Sequence, residues 1–326
     1  MQAIGFAILT VISTAAFTLV LRGTMAVWPV GLGGFLSRII TLTALAAWIL
    51  ATGKGWRRLR LNGLGQHLLL MGVIAIVINL LRFAALKLTT ATNVATLFCL
   101  DLAFVVLIGA VLRLEHHGWK QLALLPVMLA GMVLLTGALD KGGWGGHVVG
   151  DAMAVAAAFA YAVNAFVIRR ILRVMDEEAV SFYNHGYTTV GFIALAFIDN
   201  EFRTVGAVLP QMTAWLWIVA LGFLAAVWLP IYYAALARMA VWKLRAWMLS
   251  TPVLVAILEW RLWHVHLSVL QLSGAAIVLG GLGTLIWFES RMHSRGDERV
   301  RPAPAVAASK SPTVVEDAAP CLADPP

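Results

Sequence analysis

The sequence predicts an all-α integral membrane protein in which ten transmembrane helices form two inverted five-helix repeats. Hydrophobic residues make up 61% of the chain and charged residues 12%, whereas soluble globular proteins carry about 25% charged residues. The apolar runs lack the period-2 alternation of a membrane barrel, so helices must satisfy the backbone hydrogen bonds inside lipid. The third observation is a sequence repeat, because Ala85-Leu86 recurs 150 positions later as Ala235-Leu236.

Ten apolar runs, bounded by glycine, proline or charged residues, are each long enough to cross a hydrocarbon core of about 30 Å as a helix. In chain order these predicted spans cover residues 3–21, 30–51, 67–87, 91–112, 121–138, 148–168, 181–198, 213–237, 242–263 and 267–288. From residue 289 the chain becomes polar and then rich in Ala and Pro, without periodicity. We therefore predict a disordered cytoplasmic tail over residues 289–326.

The repeat divides the predicted spans into two groups of five, over residues 1–138 and 148–288. The register continues past the first match, because Gln121 recurs as Gln271 at the same offset. Two copies with an odd number of spans must enter the membrane in opposite senses. Inverted repeats of this kind are the architecture of secondary carriers.

Lysine and arginine concentrate in alternate loops, which predicts that these loops and both termini lie on the cytoplasmic side of the inner or plasma membrane. The cation-rich loops lie at residues 54–60, 113–120, 169–173 and 238–245, and the last contains Arg238, Lys243 and Arg245. The net charge of +8 does not predict nucleic-acid binding, because no basic stripe is interleaved with aromatic residues.

Three charged residues of the first repeat fall inside predicted spans, where a charge at the bilayer centre costs at least about 2.5–3.5 kcal/mol. Arg38, Arg82 and Asp101 should therefore face the bundle interior, and the helical rise places all three between the outer interface and the midplane. Asn79 shares one helix face with Arg82. Two interpretations stay open: a cationic pocket for an anionic substrate group, or an internal Arg–Asp ion pair that locks spans 2, 3 and 4 together.

The second repeat carries a different polar set. Tyr161 and Asn164 share a face of span 6, while Tyr232 and Tyr233 lie late in span 8, toward the predicted cytoplasmic side. We expect these residues to line a substrate path, or else to act as interfacial anchors or helix–helix hydrogen-bonding groups. The polar groups of the first repeat are thus predicted near the outside and those of the second repeat near the cytoplasm.

Ion coupling has two candidate residues. Asp101 lies near the middle of span 4 and Glu259 toward the outer end of span 9. Either carboxylate can carry a proton when neutral, and either can instead be held in a permanent ion pair.

Signals for an enzyme, a cofactor or a metal site are absent from the sequence. It contains no HExxH, G-x-S-x-G or phosphate-cradling motif. Glu115-His116-His117 lacks a spaced third or fourth ligand for zinc. We therefore predict no catalytic residue, no cofactor and no metal. The expected partners are a small-molecule substrate and the lipid bilayer, with no nucleic acid, and the glycine-rich faces of spans 5 and 10 allow a homodimer.

Short motifs of small and apolar residues keep a joint register through both repeats. They are Ala85-Leu86 followed by small and hydroxyl residues up to Ala91, Leu100-Asp101 followed by Leu114-Glu115, Thr251-Pro252, Gln271 to Gly274, and Gly280-Gly281. Together they resemble the motifs of the drug/metabolite transporter superfamily, in its ten-span branch with two EamA-like domains. Arg38, which follows Pro29 and a run of small residues, is similar to an arginine of that family's second span.

The chain also departs from the family pattern. Leu102 replaces a proline, Val265 stands where a glutamate would be, and Arg82 occupies a position where an aromatic or small residue is typical. The resemblance implies a secondary carrier that exports small metabolites or amphipathic compounds by alternating access, with no enzymatic activity. The alternative from another class is a non-transporting membrane scaffold or sensor subunit whose tail recruits partners.

Overall fold

The computed structural model describes residues 2–52, 59–61, 63–89, 94, 97–113, 119–135, 148–204, 211–263 and 268–299. Within helices it describes only the backbone of residues 119–122, 259, 263, 285, 286 and 288–299. All regular secondary structure in this part of the chain is helical.

Within the described ranges, five bounded helices of the first repeat and six of the second follow the predicted spans. The first repeat contains α1 (Gln2–Val27), α2 (Val30–Ala51), α3 (Gly65–Leu88), α4 (Asp101–Val111) and α5 (Trp119–Leu135). The second contains α6 (Val148–Ile171), α7 (Glu177–Ile198), a 3-10 turn (Glu201–Thr204), α8 (Met212–Arg238), α9 (Val241–Met248), α10 (Thr251–Trp263) and α11 (Val269–Arg299).

Six described segments are long and apolar enough to cross a bilayer. They are Gln2–Val27, Val30–Ala51, Gly65–Leu88, Val148–Ile171, Met212–Arg238 and Val241–Leu262. Shorter apolar helices cover Asp101–Val111, Ala123–Leu135 and Val269–Thr284, and α7 is 22 residues long. Each predicted span therefore corresponds to helix, and the predicted all-α membrane fold is confirmed.

Two predicted spans are interrupted instead of continuous. Span 4 is broken by a turn at residues 99–100, between the helical residues 97–98 and Asp101, and span 9 is broken at residues 249–250 before Thr251. The two helices that follow the breaks begin 150 positions apart, so the interruption belongs to the repeat. In the second repeat Pro252 explains it, because proline lacks an N–H and is tolerated in the first turn of a helix but not in its interior.

The packing between the repeats is symmetric. Helix α3 packs along α6, the equivalent pair α8 and α1 pack in the same way, and α2 packs along α7. The ends of α3 and α8 match in detail, because Thr89 and Met239 are both extended and donate their N–H groups to Ala85 and Ala235 at 2.8 and 3.1 Å. This arrangement is the one that an inverted repeat produces.

Glycines bring α5 and α11 close together. A side chain at Gly131 would meet Ile277 and the carbonyl oxygen of Gly274, and one at Gly281 would meet Met128. Nothing lies within 4 Å of the corresponding position at Gly280. Helix α11 continues through Arg299, beyond residue 288, into the segment that the sequence predicts to be disordered.

Candidate functional site

A small cavity lies between the two repeats. Its volume is about 30 Å³, enough for one or two water molecules. Helices of both repeats supply its walls, which consist of Phe17, Arg38, Ala75, Ile78, Asn79, Arg82, Phe98, Tyr161, Asn164, Ile168, Asn184, His185, Trp228, Leu229 and Tyr233. The cavity therefore brings together six of the residues that the sequence singles out for substrate binding: Arg38, Asn79, Arg82, Tyr161, Asn164 and Tyr233.

Arg38 reaches the cavity from the middle of α2 and is 2% exposed. Its Nη2 donates a hydrogen bond of 2.9 Å to Oδ1 of Asn79. Asn79 is held in that orientation because its own Nδ2 donates to the carbonyl oxygen of Ala75 at 2.8 Å. The guanidinium also faces the rings of Phe83 and Phe192 at 6.0 and 5.8 Å. Its buried Nε and Nη1 have no hydrogen-bond partner in the described structure.

Arg82 approaches the same cavity from α3, one turn after Asn79. Its Nη2 donates to the hydroxyl of Thr18 at 3.3 Å. Its guanidinium lies over Phe17 and Phe98, at 5.5 and 5.0 Å from the ring centroids. The side chain is thus positioned by a weak hydrogen bond and two aromatic faces.

The structure corrects the predicted partner of Asp101. Its Oδ2 lies 3.1 Å from Nη1 of Arg245, and the two side chains are 7% and 0% exposed. The pair joins the first turn of α4 to the last turn of α9, so it connects the two repeats. The predicted ion pair that would lock spans 2, 3 and 4 together is therefore wrong, because the arginine comes from span 9.

Arg245, which the sequence groups with the cations of a cytoplasmic loop although it falls at the start of predicted span 9, lies buried in α9. The spacing of residues along α9 could have indicated that Arg245 is buried. Arg245 lies four residues after Val241 and three before Met248, so it shares their apolar stripe. Lys243 lies off that stripe and is not buried. A cation on the apolar side of a helix, not the cation count of the loop, indicates burial.

Arg245 has further partners within the bundle. Its Nη2 donates to the hydroxyl of Tyr232 at 2.7 Å, and its guanidinium lies 3.9 Å from the ring centroid of Tyr161. Tyr232 does not line the cavity, although its neighbour Tyr233 does. Tyr232 is therefore placed to hold Arg245 rather than to contact a molecule in the cavity.

Five aromatic rings form a continuous row, with Arg82 over the rings at its two ends and Arg245 over two of its inner rings. Adjacent rings have centroid distances between 4.7 and 6.3 Å. In order, the rings of this aromatic row belong to Phe17, Trp228, Tyr232, Tyr161 and Phe98. Because both repeats supply rings, the row is a second connection between them.

The sequence predicts the polar groups of the first repeat near the outside and those of the second repeat near the cytoplasm. This prediction is wrong, because polar groups of both repeats meet in one cavity. Tyr233 and Asn164 line the same cavity as Arg38. The prediction measured depth from the ends of apolar runs. Helix α8 has 27 residues and is about 40 Å long at 1.5 Å per residue. Tyr232 and Tyr233 are 0% and 1% exposed, so they lie inside the bundle although the helix ends soon after them.

Two sites from the sequence analysis lie outside the described residues. Glu259 belongs to α10, but its side chain is not described, and Glu115-His116-His117 falls in an undescribed segment. Among the described residues no group of three or more His, Cys, Asp or Glu side chains is arranged to hold a metal ion.

The model of the EamA-like transporter family matches residues 1–137 and 148–287. A solved crystal structure is 25% identical, with a TM-score of 0.69, and the alignment covers 89% of this chain and 98% of that chain. None of the curated proteins compared with the chain matches it.

Proposed function

Because the chain belongs to the EamA-like transporter family, a family of membrane transporters of small compounds, we propose that it is a secondary carrier that exports small metabolites or amphipathic compounds. The observation that carries this proposal is a cavity that both repeats line and that contains buried charged and polar side chains. Substrate sites of inverted-repeat carriers lie at the repeat interface, near the middle of the bilayer. The expected substrate is a small molecule, and Arg38, Asn79, Arg82, Tyr161, Asn164 and Tyr233 are the proposed binding residues.

The size of the cavity supports alternating access. A space of about 30 Å³ is too small for a metabolite, so the repeats must separate on one side to admit a substrate. The symmetric helix pairs provide interfaces along which one repeat can rock against the other. We place the carrier in the inner or plasma membrane with both termini cytoplasmic, as the distribution of lysine and arginine predicts.

Proton coupling through Asp101 requires that its carboxylate, which is bound by Arg245, takes up a proton. A proton on Asp101 would remove one charge of the pair and weaken the connection between the repeats. Asp101→Asn mimics that neutral state. Flux driven by a pH gradient should then disappear while substrate counterflow remains, and intact gradient-driven flux in this variant would exclude Asp101 and leave Glu259 as the candidate.

A metabolite survey tests the carrier directly. Medium from cells that overexpress the protein should be enriched in specific small molecules relative to medium from deleted cells. Ala75→Phe is the control, because Ala75 lines the cavity and is 2% exposed, so the larger ring fills the path without altering the surface. Equal media from all three strains, with normal expression, would contradict the proposal.

A truncation distinguishes a carrier from a non-transporting scaffold or sensor subunit. Deletion of residues 300–326 leaves α11 complete as far as Arg299. A carrier should keep its export activity, whereas a scaffold that recruits partners through its tail should lose its effect.

Chemical cross-linking of Gly280→Cys in α11, where nothing lies within 4 Å, tests the proposed homodimer.

A further inference from the structure

We propose that the cavity, once it widens as the repeats separate, binds the oxyanion of a small organic anion with an aromatic or apolar body, and that Arg38 and Arg82 contact this oxyanion. The inference rests on the proposed carrier function, since it names the substrate class of the same cavity.

The first argument is the charge around the cavity. Arg38 and Arg82 line it, and no carboxylate does among the described residues. Asp101, the carboxylate nearest to them by sequence prediction, is bound to Arg245 instead. The two arginines therefore lack a protein counterion in the described structure. Charges in a medium of low dielectric interact strongly, so a cation is repelled from this cavity and an anion is attracted.

The second argument is the unused hydrogen-bonding capacity of Arg38. Its Nε and Nη1 are buried and have no partner in the described structure. A buried charged donor without an acceptor is unfavourable, and an oxyanion is the acceptor that a guanidinium binds best. Asn79 fixes the remaining nitrogen, Nη2. Arg38 is thus oriented before any ligand arrives, which reduces the entropy that binding would cost.

The third argument is the apolar part of the wall. Phe17, Phe98 and Trp228 line the cavity together with Ile78 and Leu229. Arg82 lies over the first two of these rings, so an anion bound to Arg82 would lie beside aromatic rings. Such a wall favours a ligand with an aromatic or aliphatic body over a hydrated inorganic ion, because the body would bury apolar surface.

The test is a binding measurement on the purified full-length protein in lipid nanodiscs. Thermal stability is followed while phenylacetate, phenyl phosphate, phenylacetamide, phenethylamine or chloride is added up to millimolar concentrations. Phenylacetate or phenyl phosphate should stabilise the protein, and the comparison of the two identifies the preferred oxyanion. The near-isosteric amide and amine, which lack the negative charge, should not.

Variants assign the effect to the arginines. Arg82→Gln and Arg38→Gln should each weaken binding of the anion about tenfold to a hundredfold, and Arg82→Lys, which keeps the charge, should weaken it less. Arg173→Gln is the control, because Arg173 is exposed in the turn after α6 and does not line the cavity. It should leave the affinity unchanged.

Several outcomes would overturn the inference: stabilisation by phenethylamine or phenylacetamide to the same extent, stabilisation by chloride only, no response to either anion, or wild-type affinity in both arginine variants. The metabolite survey separates this failure from that of the carrier. If all exported compounds are neutral or cationic, the protein is a carrier but the proposed anion site is wrong. If the protein binds the anion but exports no compound, the anion site stands and the carrier function is wrong.

Discussion

The ion pair between Asp101 and Arg245 should contribute strongly to stability, and its removal from one side should be costly. The two side chains are 7% and 0% exposed and their charged atoms are 3.1 Å apart. Removal of one partner of a buried pair leaves an uncompensated charge and costs about 3–5 kcal/mol. The cost of Asp101→Asn should lie at the lower end of this range, because Arg245 still donates a hydrogen bond to the hydroxyl of Tyr232. Arg245→Met should lie at the upper end, because it leaves the carboxylate buried.

The double variant distinguishes a pair from two independent residues. Asp101→Asn with Arg245→Met removes both charges, and neutral replacements of a buried pair are often tolerated. We expect the double variant to be more stable than Arg245→Met alone, with a coupling energy of at least about 2 kcal/mol. Reversible unfolding by dodecyl sulfate in mixed micelles, followed by tryptophan fluorescence, measures these differences.

A surface ion pair supplies the control for this measurement. Arg238 and Glu177 are 2.6 Å apart, but their side chains are 39% and 24% exposed. Glu177→Gln should therefore cost only about 0–1 kcal/mol. Additive effects of the two buried substitutions, or single effects no larger than that of Glu177→Gln, would refute the claim that Asp101 and Arg245 connect the repeats.

Two further predictions concern the scaffold. Gly274→Ala would place a methyl group against the backbone of α5 and should destabilise the protein by about 1–3 kcal/mol, whereas Gly280→Ala, with nothing within 4 Å, should not; equal melting temperatures would contradict the close packing of α5 and α11. The carboxylate of Glu201 accepts the N–H groups of Gly31 and the following residue at 3.1 and 2.7 Å. Glu201→Gln should therefore cost about 1.5–3 kcal/mol in the same unfolding assay, and exposed Asp199→Asn is its control; similar small effects in both would show that the contact at the start of α2 adds nothing.

The fold could be predicted from the sequence because its signals are long-range averages. Apolar runs of membrane length and a register held over 150 positions do not depend on any single side chain. The interruptions lie at equivalent positions of the two repeats, since α4 and α10 begin 150 residues apart. The sequence did not show that these helices are interrupted, because apolar composition is the same on both sides of a short turn.

The site could be predicted only in part. Arg38, Arg82 and Asn79 were found because charged and amide groups are costly inside an apolar span. The partner of Asp101 was missed, because Arg245 stands close to other cations in a segment that reads as a loop. Pairing across the repeats depends on how α4 and α9 meet, and no local pattern records that contact. The aromatic row has the same origin, since its rings come from four different parts of the chain.

The most direct test of alternating access is the labelling of one cavity residue from each side of the membrane. Ile168 lines the cavity and is 1% exposed, so Ile168→Cys, in a background without Cys99 and Cys321, reports access without removal of a polar group. Val190→Cys, at a position that is 62% exposed on the outer surface of the bundle, is the control in an apolar environment. Ile168→Cys should react with a membrane-impermeant thiol reagent both in intact cells and in inside-out vesicles, and Val190→Cys in neither. Reaction of Ile168→Cys from one side only would contradict alternating access.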